Sequence, residues 1–150
     1  MELERDAIER ILATWPVARL ATLAADGRPQ LVPIAFAKSG GALWSPIDGK
    51  PKRGVELARV RNIRRDTRVC LLLDHYDPDW SQLWWLRIDG RAEIAAAAGP
   101  EALAAADALR AKYPAYASGV TPLFAGEPTL IRIAVEKRVG WRASAQGHVA

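Results

Sequence analysis

The stretch "ARLATLAADGRPQLVPIAFA", residues 18–37, decides how the chain is read. Two β-like apolar runs flank "ADGRP", and its Asp26-Gly27 pair accepts the positive φ that a tight hairpin turn demands. The same grammar recurs downstream. "KSGG" (38–41) is a second turn and "ALWSPI" (42–47) a third strand. "RVCLLLDHY" (68–76), rich in Val and Leu, reads as a buried strand, and "YDPDW" (76–80) turns the chain. "SQLWWLRIDGRAEIA" (81–95) is a long strand whose Gly90 marks a bulge or kink, and "TLIRIAVEKRVGWRA" (129–143) is the last strand.

Helices are few. Leu3, Ala7, Ile8, Ile11 and Leu12 share one helical face, which predicts a short amphipathic helix over residues 2–13 ended by Pro16. "GPEALAAADALRAKYP" (99–114) is a helix with Pro100 near its first turn and Pro114 closing it. A third runs within residues 48–68, where Leu57, Ala58, Val60, Arg61 and Ile63 divide it into an apolar side and a strongly cationic one. About six strands joined by sequential hairpins, with short flanking helices, predict a mainly β, α+β protein. The expected architecture is a small antiparallel barrel of six or so strands occupying residues 1–150 as one domain.

Composition narrows the classes. Half of the 150 residues are hydrophobic and a quarter charged, an ordinary globular balance. The acidic, amphipathic "MELERDAIER" does not resemble a signal peptide, and no apolar run approaches the roughly 20 residues of a membrane span. Cys70 stands alone, so neither disulfides nor cysteine metal sites are expected, and the cytoplasm is the default location. The formal charge of +4 is concentrated: residues 50–68 hold eight basic side chains against Glu56 and Asp66, a net of +6. The remainder of the chain is therefore slightly acidic.

That basic segment, "DGKPKRGVELARVRNIRRDTR" (48–68), raises an electrostatic question. Lys50, Lys52 and Arg53 crowd a helix start, where the macrodipole is already positive and each cation is unfavourable by about 0.3–1 kcal/mol. A solvated basic surface accounts for Arg59, Arg61, Arg64 and Arg65 but less well for these three. A bound phosphate resolves the conflict, because backbone amides, dipole and cations then converge on one anion. Nucleic acid is the weaker candidate, since Trp80, Trp84 and Trp85 lie in a different segment from the charges.

Familiar catalytic signatures are absent: there is no G-x-G-x-x-G, Walker loop or G-x-S-x-G. Of the two histidines, His148 is expected to be disordered near the end of the chain. His75 is expected to bond a backbone carbonyl rather than serve as a general base. Asp74, Asp77 and Asp79 fit no metal-ligand spacing and read as a polar turn. A chain without an acid–base or nucleophile set either is not an enzyme or takes its chemistry from a cofactor. Trp84 and Trp85, adjacent on a strand, must point to opposite faces, one into the core and one toward a cleft or another subunit.

Taken together, the hairpin stretch, residues 43–94 and "VGWRAS" (139–144) resemble the split β-barrel, flavin-binding proteins of the pyridoxamine 5′-phosphate oxidase-like superfamily. The resemblance spans about residues 17–144. Within the superfamily it is nearest to the branch of oxidoreductases that use the deazaflavin coenzyme F420, and it is most specific at residues 48–53, 60–63 and 74–85. It implies a homodimer with two cofactor sites at the subunit interface and a small-molecule substrate, with neither nucleic acid nor membrane as partner. Val32, Pro33 and Ile34 would offer backbone contacts to the ring system. Ser45, Pro46, Ile47, Lys50, Lys52 and Arg53 would hold the phosphate end. Trp80, Trp84 and Trp85 of the opposite subunit would approach the ring, and Trp141 and Arg142 would line the mouth. F420 is the implied cofactor and FMN the alternative, with hydride transfer to an unsaturated or conjugated substrate. No metal is implied and no catalytic side chain is identified; His75 and Tyr76 are the nearest candidates for a proton donor. A flavin- or haem-binding protein without turnover is the competing reading. The chain also lacks the C-terminal Arg- and His-rich segment of pyridoxamine phosphate oxidases, which disfavours that particular activity.

Overall fold

A computed structural model describes residues 1–48 and 56–150 of the chain. Among the described residues, seven strands form one antiparallel sheet with four α-helices around it, and the sheet does not close on itself. The strands are β1 (Ala18–Leu23), β2 (Pro29–Ile34), β3 (Ala37–Ser39), β4 (Ala42–Pro46), β5 (Arg68–His75), β6 (Trp84–Ala96) and β7 (Thr129–Arg142). Their spatial order is β2-β1-β5-β6-β7-β4-β3, which leaves β2 and β3 as the two edges. The helices are α1 (Arg5–Thr14), α2 (Ala58–Arg65), α3 (Pro100–Lys112) and α4 (Pro114–Ser118). None of them is long and apolar enough to cross a membrane.

The opening hairpin forms as its turn chemistry dictates. Gly27 sits at φ 84°, and Ala18–Leu23 pairs residue for residue with Pro29–Ile34. The strand beyond the expected six is β3, three residues long, where the run after β2 breaks and restarts. Tyr113 pins that break: its hydroxyl accepts from the Phe36 N–H at 2.9 Å and lies within hydrogen-bond reach of the Pro16 and Phe36 carbonyls. Gly40 and Gly41, both at positive φ, then turn β3 into β4.

β6 and β7 form the longest ladder, and their register slips between Asp89 and Gly90. A Cβ at Gly90 would lie 2.5 Å from the Ala134 carbonyl oxygen, so the bulge admits only glycine without rearrangement. Alternation along β5 and β6 sends Leu71, Leu73, Trp84, Leu86 and Ile88 inward, where they meet Ile11 and Leu12 of α1 and Ile63 of α2. A second apolar cluster lies under α3 and α4, built from Ala105, Ala106, Leu109, Tyr116, Trp44 and Leu130. The C-terminal segment departs from the expected disorder. The His148 N–H donates to Gln82 Oε1 at 2.9 Å, and Val149 is buried in the main core. Burying that valine offsets the entropy of ordering the tail.

Candidate functional site

The site begins where β4 ends. The Ile47 N–H donates to the Thr129 carbonyl at 3.2 Å, and the Ile47 carbonyl accepts from Ala125 at 2.8 Å, so the strand is held down to its last residue. Asp48 follows and is only 5% exposed. A buried carboxylate requires donors, and Tyr116 of α4 supplies one, its hydroxyl 2.7 Å from Asp48 Oδ2. Burial, reinforced by this bond, raises the tyrosine's pKa well above its usual value.

α2 opens at Ala58 behind Leu57, and among the described residues no side chain caps its N-terminus. Arg59 lies in that first turn. It is half-buried, and its Nε is shut off from solvent with no hydrogen-bond partner among the described residues. Desolvation lowers the arginine's pKa, while the Asp48 charge acts in the opposite direction. Thus a buried acid ends β4 at Asp48 and a partly desolvated guanidinium opens α2 at Arg59.

The other cations of α2 are engaged locally. Arg61 donates to the Glu56 carbonyl, and Arg64 pairs with the Glu56 carboxylate at 2.9 Å. Arg65 reaches the Leu23 carbonyl at 2.6 Å and so ties α2 to β1. Buried Asn62 completes this seam by donating to Thr22 Oγ1 at 3.0 Å and Gln30 Oε1 at 2.7 Å. The "VRNI" motif therefore locks the helix across the first hairpin.

The expected site residues fall in distinct places. Lys50, Lys52 and Arg53 lie outside the described residues. Val32, Pro33 and Ile34 are on β2, an edge strand, whose outward backbone groups the sheet leaves unpaired. Pro33 points outward, whereas Val32 and Ile34 face inward. Ser45 and Pro46 are buried in β4, and Ile47 is partly so.

The tryptophans divide as the strand geometry requires. Trp84 is buried against Trp15, ring centroids 4.8 Å apart and near edge-on, with His75 5.8 Å from Trp15. Trp85 is half-buried on the opposite face, and Trp80, in a 3-10 turn, is 69% exposed. Leu72, Tyr76, Leu83 and both strand tryptophans wall a groove of about 370 Å³ that also receives Asp74 and Arg87. Asp74 there is paired with Arg19. On this outer face, register aligns Pro33, Arg19, Leu72, Arg87 and Val139 in one row across five strands. Trp141 lies on the same face opposite Trp85, and Arg142 is held by Glu4 at 2.6 Å.

Sequence reading missed three participants. Asp48 reads as part of a turn, Arg59 as surface, and Tyr116 carries no local signal at all. Only the spacing of Arg59 from the apolar Val60 and Ile63 hinted that it borders the core.

Comparison with known proteins follows the same outline. No match was found among curated proteins. Among solved structures, a conserved hypothetical protein from Mycobacterium tuberculosis superposes with a TM-score of 0.73 at 23% identity, covering 99% of this chain and 95% of that one. HutZ, the haem storage protein from Vibrio cholerae, gives 0.70 at 17% identity, with 95% of each chain covered. An FAD-binding protein from Mesorhizobium loti gives 0.63 at 21% identity, with 93% of each covered. At these identities the likeness is one of fold. The family assignment comes from the sequence itself: the model of pyridoxamine 5′-phosphate oxidase matches residues 5–142, from the start of α1 to the end of β7. With the hairpin, the bulged β6–β7 ladder and α2 all inside that span, the chain belongs to the pyridoxamine 5′-phosphate oxidase family.

Proposed function

We propose that the protein is a cofactor-dependent oxidoreductase that works as a homodimer and binds the phosphate end of a flavin-type cofactor at the start of α2. The observation that carries this reading is the buried, unpartnered Nε of Arg59. A buried donor nitrogen left unused lacks an acceptor, and a phosphate oxygen is the acceptor that suits it best. The uncapped N-terminus of α2 adds backbone donors to the same region, and Lys50, Lys52 and Arg53 are its neighbours in sequence. The residues present therefore fit an anionic cofactor end.

When bound, a deazaflavin or flavin would supply the two-electron chemistry that no side chain here offers. The protein's part is to bind and to orient. Asp48, held by Tyr116, would steer the Arg59 guanidinium. The edge of β2 at Val32, Pro33 and Ile34 has unpaired backbone groups to offer a ring system. The groove walled by Trp85, Leu72 and Tyr76 would receive a flat, apolar substrate and exclude water from it. F420 is the first choice of cofactor, supported by the resemblance at residues 48–53, 60–63 and 74–85; FMN is the second. The FAD-binding neighbour supports a flavin-type ligand in general.

A second reading is cofactor binding without turnover. The haem storage neighbour supports it, as does the position of His75 among aromatic rings rather than at a substrate groove. One experiment separates the readings: titrate the purified protein with F420, FMN and haemin, then assay substrate reduction with the reduced form of whichever binds. Micromolar or tighter F420 binding with turnover supports the proposal. FMN binding without F420 binding removes the deazaflavin version, and haemin binding without turnover favours the second reading.

A further inference from the structure

The groove beside Trp85 carries one uncommitted charge. Leu72, Tyr76, Leu83 and Trp85 wall it, and its two ionic residues are Asp74 and Arg87. Asp74 is already neutralised by Arg19, which reaches it from β1. Arg87 has no such partner. Among the described residues its one ionic contact is Asp89, two positions along β6, and at 3.9 Å that separation is too long for a hydrogen bond. The side chain is 47% exposed, so its fork of N–H donors is open to a ligand.

Strand geometry decides what would suit that fork. Arg87 and Trp85 alternate onto the same outer face of β6, and register sets Leu72 on one side of Arg87 and Val139 on the other. The guanidinium thus stands among apolar side chains, with the Trp85 indole two positions along the strand. Because Arg19 and Asp74 cancel, the groove is left with a single positive charge. A guanidinium matches a planar carboxylate, two N–H donors to two oxygens. A neutral molecule lying over Arg87 would strip water from the cation and return no acceptor, and a cationic one would be repelled. One arginine balances one carboxylate, whereas a phosphate, with about two negative charges, would be left partly unpaired.

We propose, on the reading that this groove is the substrate pocket, that its substrates are flat conjugated or aromatic carboxylates and that Arg87 is the residue that selects them. The carboxylate pairs with the Arg87 guanidinium while the flat body lies along Leu72, Trp85 and Tyr76. It serves as a handle and takes no part in electron transfer.

The test is calorimetric titration of the protein as purified with naphthalene carboxylate, naphthalene carboxamide and naphthylmethylamine, each up to millimolar concentration. The carboxylate should bind on the order of tenfold tighter than the amide, and the amine should bind weakest. Arg87→Gln should bring the carboxylate down to the affinity of the amide. Binding of the amide, which reports an intact groove, should not change, and Arg87→Lys should retain part of the preference. Equal binding of carboxylate and amide to the wild type would overturn the proposal while leaving the groove a pocket for flat molecules. A preference that survives Arg87→Gln would overturn the role of Arg87. No binding of any probe would remove the groove as a substrate pocket and the assignment with it. None of these outcomes depends on whether F420 or FMN is the cofactor.

Discussion

Tyr116 donates its hydroxyl to the Asp48 carboxylate across 2.7 Å, although the two residues stand 68 positions apart in sequence and both are buried. The bond joins α4 to the end of β4, immediately before the segment expected to meet a phosphate. Tyr116→Phe removes the donor and leaves a buried acceptor short of a partner, which should lower stability by about 1–3 kcal/mol. Urea unfolding checks this, and a change below about 0.5 kcal/mol would show that Asp48 does not depend on the tyrosine.

Arg59→Ala should weaken cofactor binding by about 1.5–3 kcal/mol, roughly ten- to a hundredfold, because a charge-assisted bond to phosphate is lost. Stability without cofactor should fall as well, because the buried Asp48 carboxylate loses a nearby positive charge. Arg64→Ala is the control, its exposed pair with Glu56 being worth little. Calorimetric titration of both variants decides; equal losses would reduce Arg59 to general surface charge. Lys52→Ala is expected to weaken cofactor binding by a similar factor.

The two adjacent tryptophans should differ sharply. Trp84→Ala empties a fully buried site and should destabilise the fold by about 3–5 kcal/mol. Trp85→Ala should leave the fold within about 1 kcal/mol and act instead on self-association, because an outer face bearing Leu72, Trp85 and Trp141 invites cover by a second copy. Sedimentation velocity should find a wild-type dimer at micromolar concentration and a weakened one in the variant. A wild-type monomer would contradict the proposed dimer.

Gly90→Ala tests the bulge. Its Cβ would collide with the Ala134 carbonyl, a backbone atom that cannot swing aside, so a loss of about 1–3 kcal/mol is expected. Thermal unfolding measures it. An unchanged midpoint would mean that the β6–β7 register can shift freely at that point.

Lys112 makes a pH prediction. Its folded value, about 8, lies below the ordinary 10.5, so across that window the unfolded chain binds more protons and stability rises with pH. Below about 8 both states are charged and the burial penalty is present in full. Cys70 opposes this trend: its thiol is raised from 9.0 to about 11, so its contribution is present below 9 and is lost as pH rises through 11. The difference between wild type and Lys112→Met isolates the lysine. That difference should move in favour of the wild type between pH 8 and 10.5; a flat difference would place the amine in water.

Features carried by neighbours along the chain are legible in the residues alone. Asp26-Gly27 placed a hairpin because backbone torsion at a turn is a local matter. The 3.6-residue spacing of Ala7, Ile11 and Leu12 located α1, and the adjacency of Trp84 and Trp85 fixed their opposite faces. Gly90 announced a bulge for the same reason. Which charges are buried, and what they meet, is settled by long-range packing. Arg59 and Arg64 are the same residue type on one helix, yet Arg59 is half-buried with its Nε closed off from solvent while Arg64 stays in water beside Glu56. Desolvation depends on which distant elements pack overhead, and Tyr116, Asp48 and the anchored tail at Val149 come together across dozens of residues with no periodicity to mark them.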